Sequence, residues 1–331
     1  MKQSIDGVIR GYVLISGGLD SRLAVCVLRE QGIEVTGISF SSPFFSPKKA
    51  KDAASQLGIP LVVEEFTTQI LDLVEHPPHG FGSNMNPCID CHTCMIKMAG
   101  QRAEREGFQF LATGEVLNQR PMSQTKRSLG IVGKGSGYAD WLVRPLSAKL
   151  LDETEAERLG WVDRSRLLAL SGRSRKPQYE LAKKFGITSY PSPGGGCCLT
   201  EPNFSARLKD LRNYGQVKDL HAVELLKHGR HFRLSDKVKV LVGRDEKDNA
   251  ILEKLANPEE ILIETAAVMG PAGLITGGAD EGEILLAASL CARHSDQKVG
   301  LVEMIIKGNG GERRVTVECA TPEMVDQLRV K

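Results

Sequence analysis

The chain has 331 residues, enough for two domains rather than one ordinary core, and its 41% hydrophobic and 25% charged residues are the balance of a soluble globular protein, which excludes a disordered or fibrous one. The 43 Lys and Arg stand against 41 Asp and Glu, so the net charge of +2 makes no case for nucleic acid, and any such case rests on local clustering. Eight cysteines, three of them within NPCIDCHTCMIK, suit metal or redox chemistry in a reducing compartment better than disulfides. With no signal peptide and no run of the ~20 apolar residues that a membrane span needs, the expectation is a cytoplasmic protein without a membrane anchor.

The first 40 residues read as strand, loop, helix and strand. Gly11 to Ile15 is a short apolar run, SGGLDS follows, and Leu23, Ala24, Val27 and Leu28 then recur at helical spacing until Gly32. Ile33 to Phe40 resumes a β-rich pattern, so the unit is βαβ and its sheet parallel. Ser46 and Pro47 open a helix through Leu57, Pro60 to Phe66 offers a strand, a helix runs from about Cys91 to Glu106, and Phe110 to Thr113 is an apolar strand. This alternation predicts a doubly wound α/β domain over residues 1–202, with ligands beyond the carboxyl ends of its strands. The stretch YPSPGGGCCLTEPNF, with three prolines and three glycines in fifteen residues, marks a crossing between units, and the boundary is set near Asn203. Residues 203–331 read as a smaller α+β domain, with strands at Lys237 to Val242, Ile261 to Ile263, Leu301 to Ile306 and Val315 to Cys319. Its helices are expected from Glu281 to Arg293 and from Thr321 to Leu328.

Between a buried strand and a helix, SGGLDS (Ser16 to Ser21) is a natural anion site. Free N–H groups and the helix dipole favour phosphate, Gly17 and Gly18 allow close backbone approach, and Ser16 and Ser21 offer hydroxyls. A tight turn without a ligand is the bland alternative. Cys88, Cys91 and Cys94 are spaced by two residues each, and three thiolates this close bind a soft metal. Spacing alone leaves open a four-thiolate zinc site completed by Cys197 or Cys198, or three cysteines holding a four-iron cluster with one iron open. Cys26, Cys291 and Cys319 sit in apolar patterns and read as core. Arg164, Arg166, Arg173, Arg175 and Lys176 form a local basic excess that suits either a phosphate-backbone footprint or a solvated helix face.

SGGLDS matches the SGGxDS signature of the PP-loop ATP pyrophosphatases, which split ATP to AMP and pyrophosphate to adenylate a carbonyl oxygen. That resemblance implies ATP and Mg2+ as cofactors, with Asp20 working with magnesium on the phosphates. ATGEVLNQRPMSQ, from Ala112 to Gln124, resembles the TGE…SQ segment of the 4-thiouridine synthetase branch. By that match Thr113 and Gly114 border the nucleotide, and Phe40, where the second strand passes the adenine, is a contact or plain core. PCIDC and PGGGCCLTEP look like the CxxC pair and distant cysteine of cluster-dependent tRNA thiolases, which implies a 4Fe-4S cluster on Cys88, Cys91 and Cys197 with catalytic roles for these and Asp20. Cys94 and Cys198 are extras to that pattern. RPLSAK (Arg144 to Lys149) resembles the segment after the core sheet in those synthetases, its arginine directed at nucleotide or RNA. GRHFRLSDKVKVLVGRDEKDNAIL, Gly229 to Leu252, resembles the front half of the NFACT-R domain.

The resemblance implies an ATP-dependent tRNA sulfurtransferase making 4-thiouridine, with tRNA and a sulfide or sulfur-donor protein as partners. Because the phosphate loop begins within the first twenty residues, the usual amino-terminal THUMP domain is expected to be absent. Recognition of tRNA is then expected from the C-terminal domain, a homodimer partner or a separate protein. Two rivals stand beside this reading: a PP-loop ligase that adenylates a small metabolite and keeps a structural zinc, and a non-catalytic nucleotide- and RNA-binding protein.

Overall fold

A computed structural model describes residues 7–192, 196–308 and 310–331. The chain divides between Thr200 and Glu201, so a boundary at Asn203 lies in the first turn of the helix that opens the second unit.

The first unit runs β1 (Arg10–Leu14), α1 (Leu19–Arg29), β2 (Glu34–Ser41), α2 (Lys48–Leu57), β3 (Leu61–Glu65), α3 (Thr67–Glu75), α4 (Cys88–Glu106), β4 (Phe110–Thr113), α5 (Lys126–Ser136), β5 (Leu142–Val143), α6 (Glu155–Arg158) and α7 (Lys176–Lys184). Its five strands pair in parallel in the order β3-β2-β1-β4-β5. The order reverses beside β1: the chain first builds outward through β2 and β3, then returns to place β4 on the other side. The crevice at such a reversal is where doubly wound sheets bind ligands, and the loops after β1 and β4 both open there. One face of the sheet is sealed by Leu23, Ala24, Val27 and Leu28 of α1, the helical stripe read from the sequence, which pack with Val13 and Ala112 in one core. Gly58 ends α2 in the left-handed conformation that a side chain would disfavour.

The second unit runs α8 (Pro202–Asn213), α9 (Leu220–Leu225), β6 (Arg230–Arg233), β7 (Lys239–Val242), α10 (Glu246–Leu255), β8 (Ile261–Thr265), β9 (Gly273–Thr276), α11 (Glu281–Arg293), β10 (Leu301–Gly308), β11 (Gly311–Glu318) and α12 (Pro322–Leu328). Its six strands are antiparallel in the order β11-β10-β8-β9-β7-β6. Alternation along β7 sends Val240 and Val242 into the core with α11, and Leu241 to the opposite face with Leu252 of α10. Thr321 caps α12 by accepting from the Met324 N–H, and Asp280 and Glu283 close a capping box on α11. Among the described residues no helix is long and apolar enough to cross a membrane.

Candidate nucleotide and thiol site

The phosphate loop turns from β1 into α1 with Gly17 at φ +82°, and a Cβ there would stand 2.2 Å from the Lys49 carbonyl oxygen. Only glycine fits. Gly18 is the N-cap of α1, with extended backbone at φ −72° and ψ 164°; a Cβ on it meets nothing nearer than Ser16 Oγ at 3.6 Å, so the space above it is open. The first N–H groups of α1 face this space without helical acceptors. Ser16 is exposed, and the Ser21 hydroxyl donates to the Gly18 carbonyl at 2.9 Å. Arg22, buried under the loop, donates from Nε to the Gly17 carbonyl at 3.0 Å and holds the turn from below. Its pattern in the sequence, one more residue on a helix face, carried no sign of this.

Asp20 points into the same crevice. Gln119 Nε2 donates to its Oδ2 at 2.7 Å, Gln178 Nε2 in turn donates to Gln119 Oε1 at 2.7 Å, and Arg175 Nη2 lies 3.8 Å from the same Oδ2. Asp20 Oδ1 is buried and has no hydrogen-bond partner among the described residues, a hard oxygen of the kind a small divalent cation takes. Arg175 therefore faces Asp20 in the crevice, whereas the sequence pattern groups it with neighbours that suit either a phosphate-backbone footprint or a solvated helix face. Other members of that basic group are also spent within the unit: Arg164 pairs with Glu157 at 2.5 Å, and Arg166 donates to the Glu30 carbonyl. Arg173 is exposed.

The loop after β4 closes the other side. A Cβ on Gly114 would stand 2.5 Å from Ser21 N and 2.6 Å from the Asp20 carbonyl, so the two loops touch backbone to backbone. Behind Gly114, Glu115 is buried at 6% exposure. Arg144 Nε donates to its Oε2 at 2.9 Å, Thr113 Oγ1 donates to the same oxygen at 3.0 Å, and His92 Nδ1 lies 3.2 Å from Oε1. Burial pushes this carboxyl up, but Arg144 and His92 more than reverse that and hold it at about 2. Arg144, expected to face nucleotide or RNA, is instead a strut on Glu115, with Nη2 donating to the Leu129 carbonyl at 3.2 Å. Phe40 is buried and packs edge-on against Phe66 with centroids 5.5 Å apart.

His92 lies between Cys91 and Cys94 on α4, so Glu115 also ties the cysteine helix to the nucleotide crevice. The helix begins at Cys88, one turn earlier than the sequence pattern indicates, and all three cysteines stand on its first two turns. Cys88 Sγ accepts from Asn86 Nδ2 at 3.1 Å. The turn that carries Cys197 is held from two directions: Cys198 N donates to the Phe44 carbonyl at 3.0 Å, and Asn84 Nδ2 donates to the Thr200 carbonyl at 2.8 Å. Cys91 is the centre of the group. Burial pushes its thiol well above the ordinary range, and the neighbouring Cys197, Cys88 and Cys94 push it further. Among the described residues no His, Cys, Asp or Glu side chains converge as a group of three that could hold a metal ion. Cys88, Cys94 and Cys197 all lie close enough to Cys91 to act on its thiol. The donor set is soft, as thiolate-held centres require.

Both units are similar to known proteins. Residues 8–160 match the family model described as "Thiamine biosynthesis protein (ThiI)", and residues 229–329 match "NFACT protein RNA binding domain". The chain is ThiI-like in its first unit and NFACT-R-like in its second. The ThiI-like segment contains the phosphate loop, the cysteine helix, Glu115 and Arg144, while Arg175 and Cys197 lie beyond the matched residues. A probable tRNA sulfurtransferase of Thermoanaerobacter sp. (strain X514) is 34% identical over 155 residues, which is 44% of this chain and 38% of that protein. This chain therefore spans well under half the length of that relative. A tRNA-specific 2-thiouridylase MnmA of Listeria monocytogenes serotype 4a (strain HCC23) is 23% identical over 322 residues, covering 88% of this chain and 83% of that one. A crystal structure of a 4-thiouridine synthetase–RNA complex with bound ATP aligns over 65% of this chain and 52% of that chain, at 21% identity and a TM-score of 0.37.

Two outcomes follow from this geometry. Gly18→Asp places a favoured N-cap residue at the start of α1, so the melting temperature should hold or rise, while ATP affinity falls at least ~100-fold because the carboxylate stands where phosphate would lie. Calorimetry with titrated ATP reads both, and unchanged affinity would remove the phosphates from this loop. Glu115 has a depressed folded pKa, so its contribution is complete above its ordinary 4.5 and is lost as pH falls toward about 2. Glu115→Gln should cost about 3 kcal/mol at pH 7 by urea unfolding, with the gap to the parent narrowing below pH 4.5. A gap independent of pH would contradict the ionic role.

Proposed function

We propose that this chain is an ATP-dependent tRNA sulfurtransferase. The observation that carries the reading is the meeting of two sites in one unit: a glycine phosphate loop with Asp20 and Arg175 beside it, and a thiol group on the same side of the ThiI-like core, joined through Glu115 and His92. A nucleotide-binding protein without turnover has no use for a cluster of half-buried thiols in the unit of its loop, and a plain redox protein has none for the loop.

The finer reading is 4-thiouridine synthesis. The loop N–H groups, Ser16, Ser21 and Arg175 bind the triphosphate, Thr113 and Gly114 border the nucleotide, Phe40 backs that wall from the core, and Asp20 Oδ1 offers a ligand to Mg2+. The uridine carbonyl oxygen attacks the α-phosphorus and pyrophosphate leaves. Sulfur, delivered as sulfide or from a donor protein, then adds to the activated ring carbon, and AMP departs with the former carbonyl oxygen. Holding base and α-phosphate in line is the chain's main contribution, since orientation alone supplies much of such a barrier reduction. Cys88, Cys91 and Cys197 would hold an iron–sulfur cluster, which would supply sulfur for transfer to the activated base. The NFACT-R-like unit supports RNA as the partner, and the absence of a membrane-crossing helix among the described residues accords with a cytoplasmic enzyme.

The extended similarity to a 2-thiouridylase favours a second reading in which the 2-position is thiolated. One experiment separates them. Protein purified without oxygen is incubated with tRNA, ATP, Mg2+ and sulfide, and the digested nucleosides are resolved by mass spectrometry against both standards. We expect 4-thiouridine, abolished together with bound iron in Cys88→Ala, Cys91→Ala and Cys197→Ala, each of which retains ATP binding. The 2-thio isomer supports the second reading, and no thionucleoside under any sulfur source contradicts both.

A further inference from the structure

We propose that Arg230, Arg293, Lys298 and Arg329 of the second unit form a binding site for the phosphate groups of an RNA backbone. The inference rests on the RNA-modifying reading above and deepens it, by naming where the second unit grips its substrate. The four side chains line one concavity of about 550 Å³. They come from three separated stretches that the fold draws together. Arg230 begins β6, and Arg293 ends α11, with Lys298 in the turn behind it. Arg329 follows α12 and is bridged to β6 at Phe232, with the Val330 N–H donating to the His231 carbonyl at 3.0 Å, which fixes the chain's end beside Arg230.

None of the four cations makes an ion pair among the described residues. This sets them apart from Arg233, Arg244, Arg313 and Arg314 of the same unit, each of which faces a carboxylate. Two acids line the concavity, Asp296 and Asp326, and the second is already paired with Lys331. Helix dipoles explain a preference for Arg293 and Arg329 at the ends of their helices. They do not explain Arg230, which is half-buried at the head of a strand and whose own pKa is lowered by burial and by Arg329 and Arg244. His294 reports the resulting field. Burial, then Arg230, Arg329 and Arg293, press its imidazole down to about 4, and its Nε2 is buried without a partner. Arg230 and Arg293 each spend one N–H group on a backbone carbonyl, of Gly243 at 2.7 Å and of Lys298, and keep others free for phosphate, and a neutral imidazole beside them can donate to a phosphate oxygen and adds no further charge.

The turn itself is held for the purpose. Arg293 Nη1 donates to the Lys298 carbonyl at 2.8 Å, and Lys298, which lines the concavity, adopts φ +57°, a left-handed conformation uncommon for a lysine. Four clustered cations outnumber the two acids of the concavity and pair with neither among the described residues, and such an excess around open volume matches a polyanion.

The test uses the full chain and fluorescently labelled tRNA, with the dissociation constant measured across a salt series. Replacing Arg293 and Arg329 together by alanine should weaken binding at low salt at least ~10-fold and lower the slope of log K against log salt by roughly two, since each phosphate contact contributes about 0.7 to 0.9. Arg313→Ala with Arg314→Ala removes the same charge from paired positions in the same unit and should leave the slope in place. Should loss of the Arg293 contact to Lys298 lower the melting temperature, Arg329→Ala alone carries the test, with a slope change of about one. Equal slope changes for both pairs, or none for either, overturn the site. If the parent chain binds no tRNA, the RNA-modifying reading falls first, and ATP binding by the first unit distinguishes that failure from a misfolded protein.

Discussion

The ionised Glu115 is the fixed point of the first unit. A carboxylate enclosed by protein is tolerated only when its charge and lone pairs are met, and Glu115 is met from three directions: Arg144 directly after the fifth strand, Thr113 at the end of the fourth, and His92 on the cysteine helix. Each partner belongs to a different part of the unit. Gly114, the residue before it, lies flat against the phosphate loop, so the same segment that anchors the charge also sets the position of Asp20 and Ser21. Losing the ion pair would leave a nearly enclosed guanidinium on Arg144 without its carboxylate, and the crevice would lose its back wall.

Around that point the site divides its labour between rigid and adaptable parts. Gly17 has no room for a side chain and Arg22 braces the turn beneath it, so the phosphate loop is held from both sides. The Cys197 turn is held by hydrogen bonds from two loops, with Lys49 as a physical neighbour to both regions: its backbone packs on Gly17, and a Cβ on Gly196 would lie 3.8 Å from its Nζ. Lys49 thus borders both the phosphate loop and the turn that carries Cys197. In a reaction that joins an activated base to a sulfur atom, nearness of the two is what orientation demands.

Much of this was readable before any coordinates. The strand–loop–helix around SGGLDS has a clear change of period from two to 3.6, and Phe110–Thr113 and Glu281–Arg293 fall where their apolar patterns put them. The short strands Arg230–Arg233 and Gly273–Thr276 lack such a signal, because the first carries a single apolar residue and the second opens on glycine, so neither presents the unbroken apolar run that marks Phe110–Thr113. The helix Lys126–Ser136 was hidden by three glycines in eleven residues, whose low propensity is overridden by packing against the cysteine helix and by the Thr125 cap. Arg144 and Arg175 show the deeper limit. Charge along the chain grouped Arg175 with its neighbours in sequence, whereas its electrostatic partner is Asp20, and no local pattern connects residues that far apart. The same applies to Glu115, whose importance lies in burial, a property of the folded chain alone.

The central claim is that the phosphate crevice activates an RNA base before sulfur arrives. Pyrophosphate release measured in a single turnover, with ATP, Mg2+ and tRNA present and every sulfur source withheld, tests it most directly. The account predicts a burst that depends on tRNA, approaches one pyrophosphate per active site, and is absent in Asp20→Asn. Steady release without tRNA, or no release until sulfide is added, would contradict it.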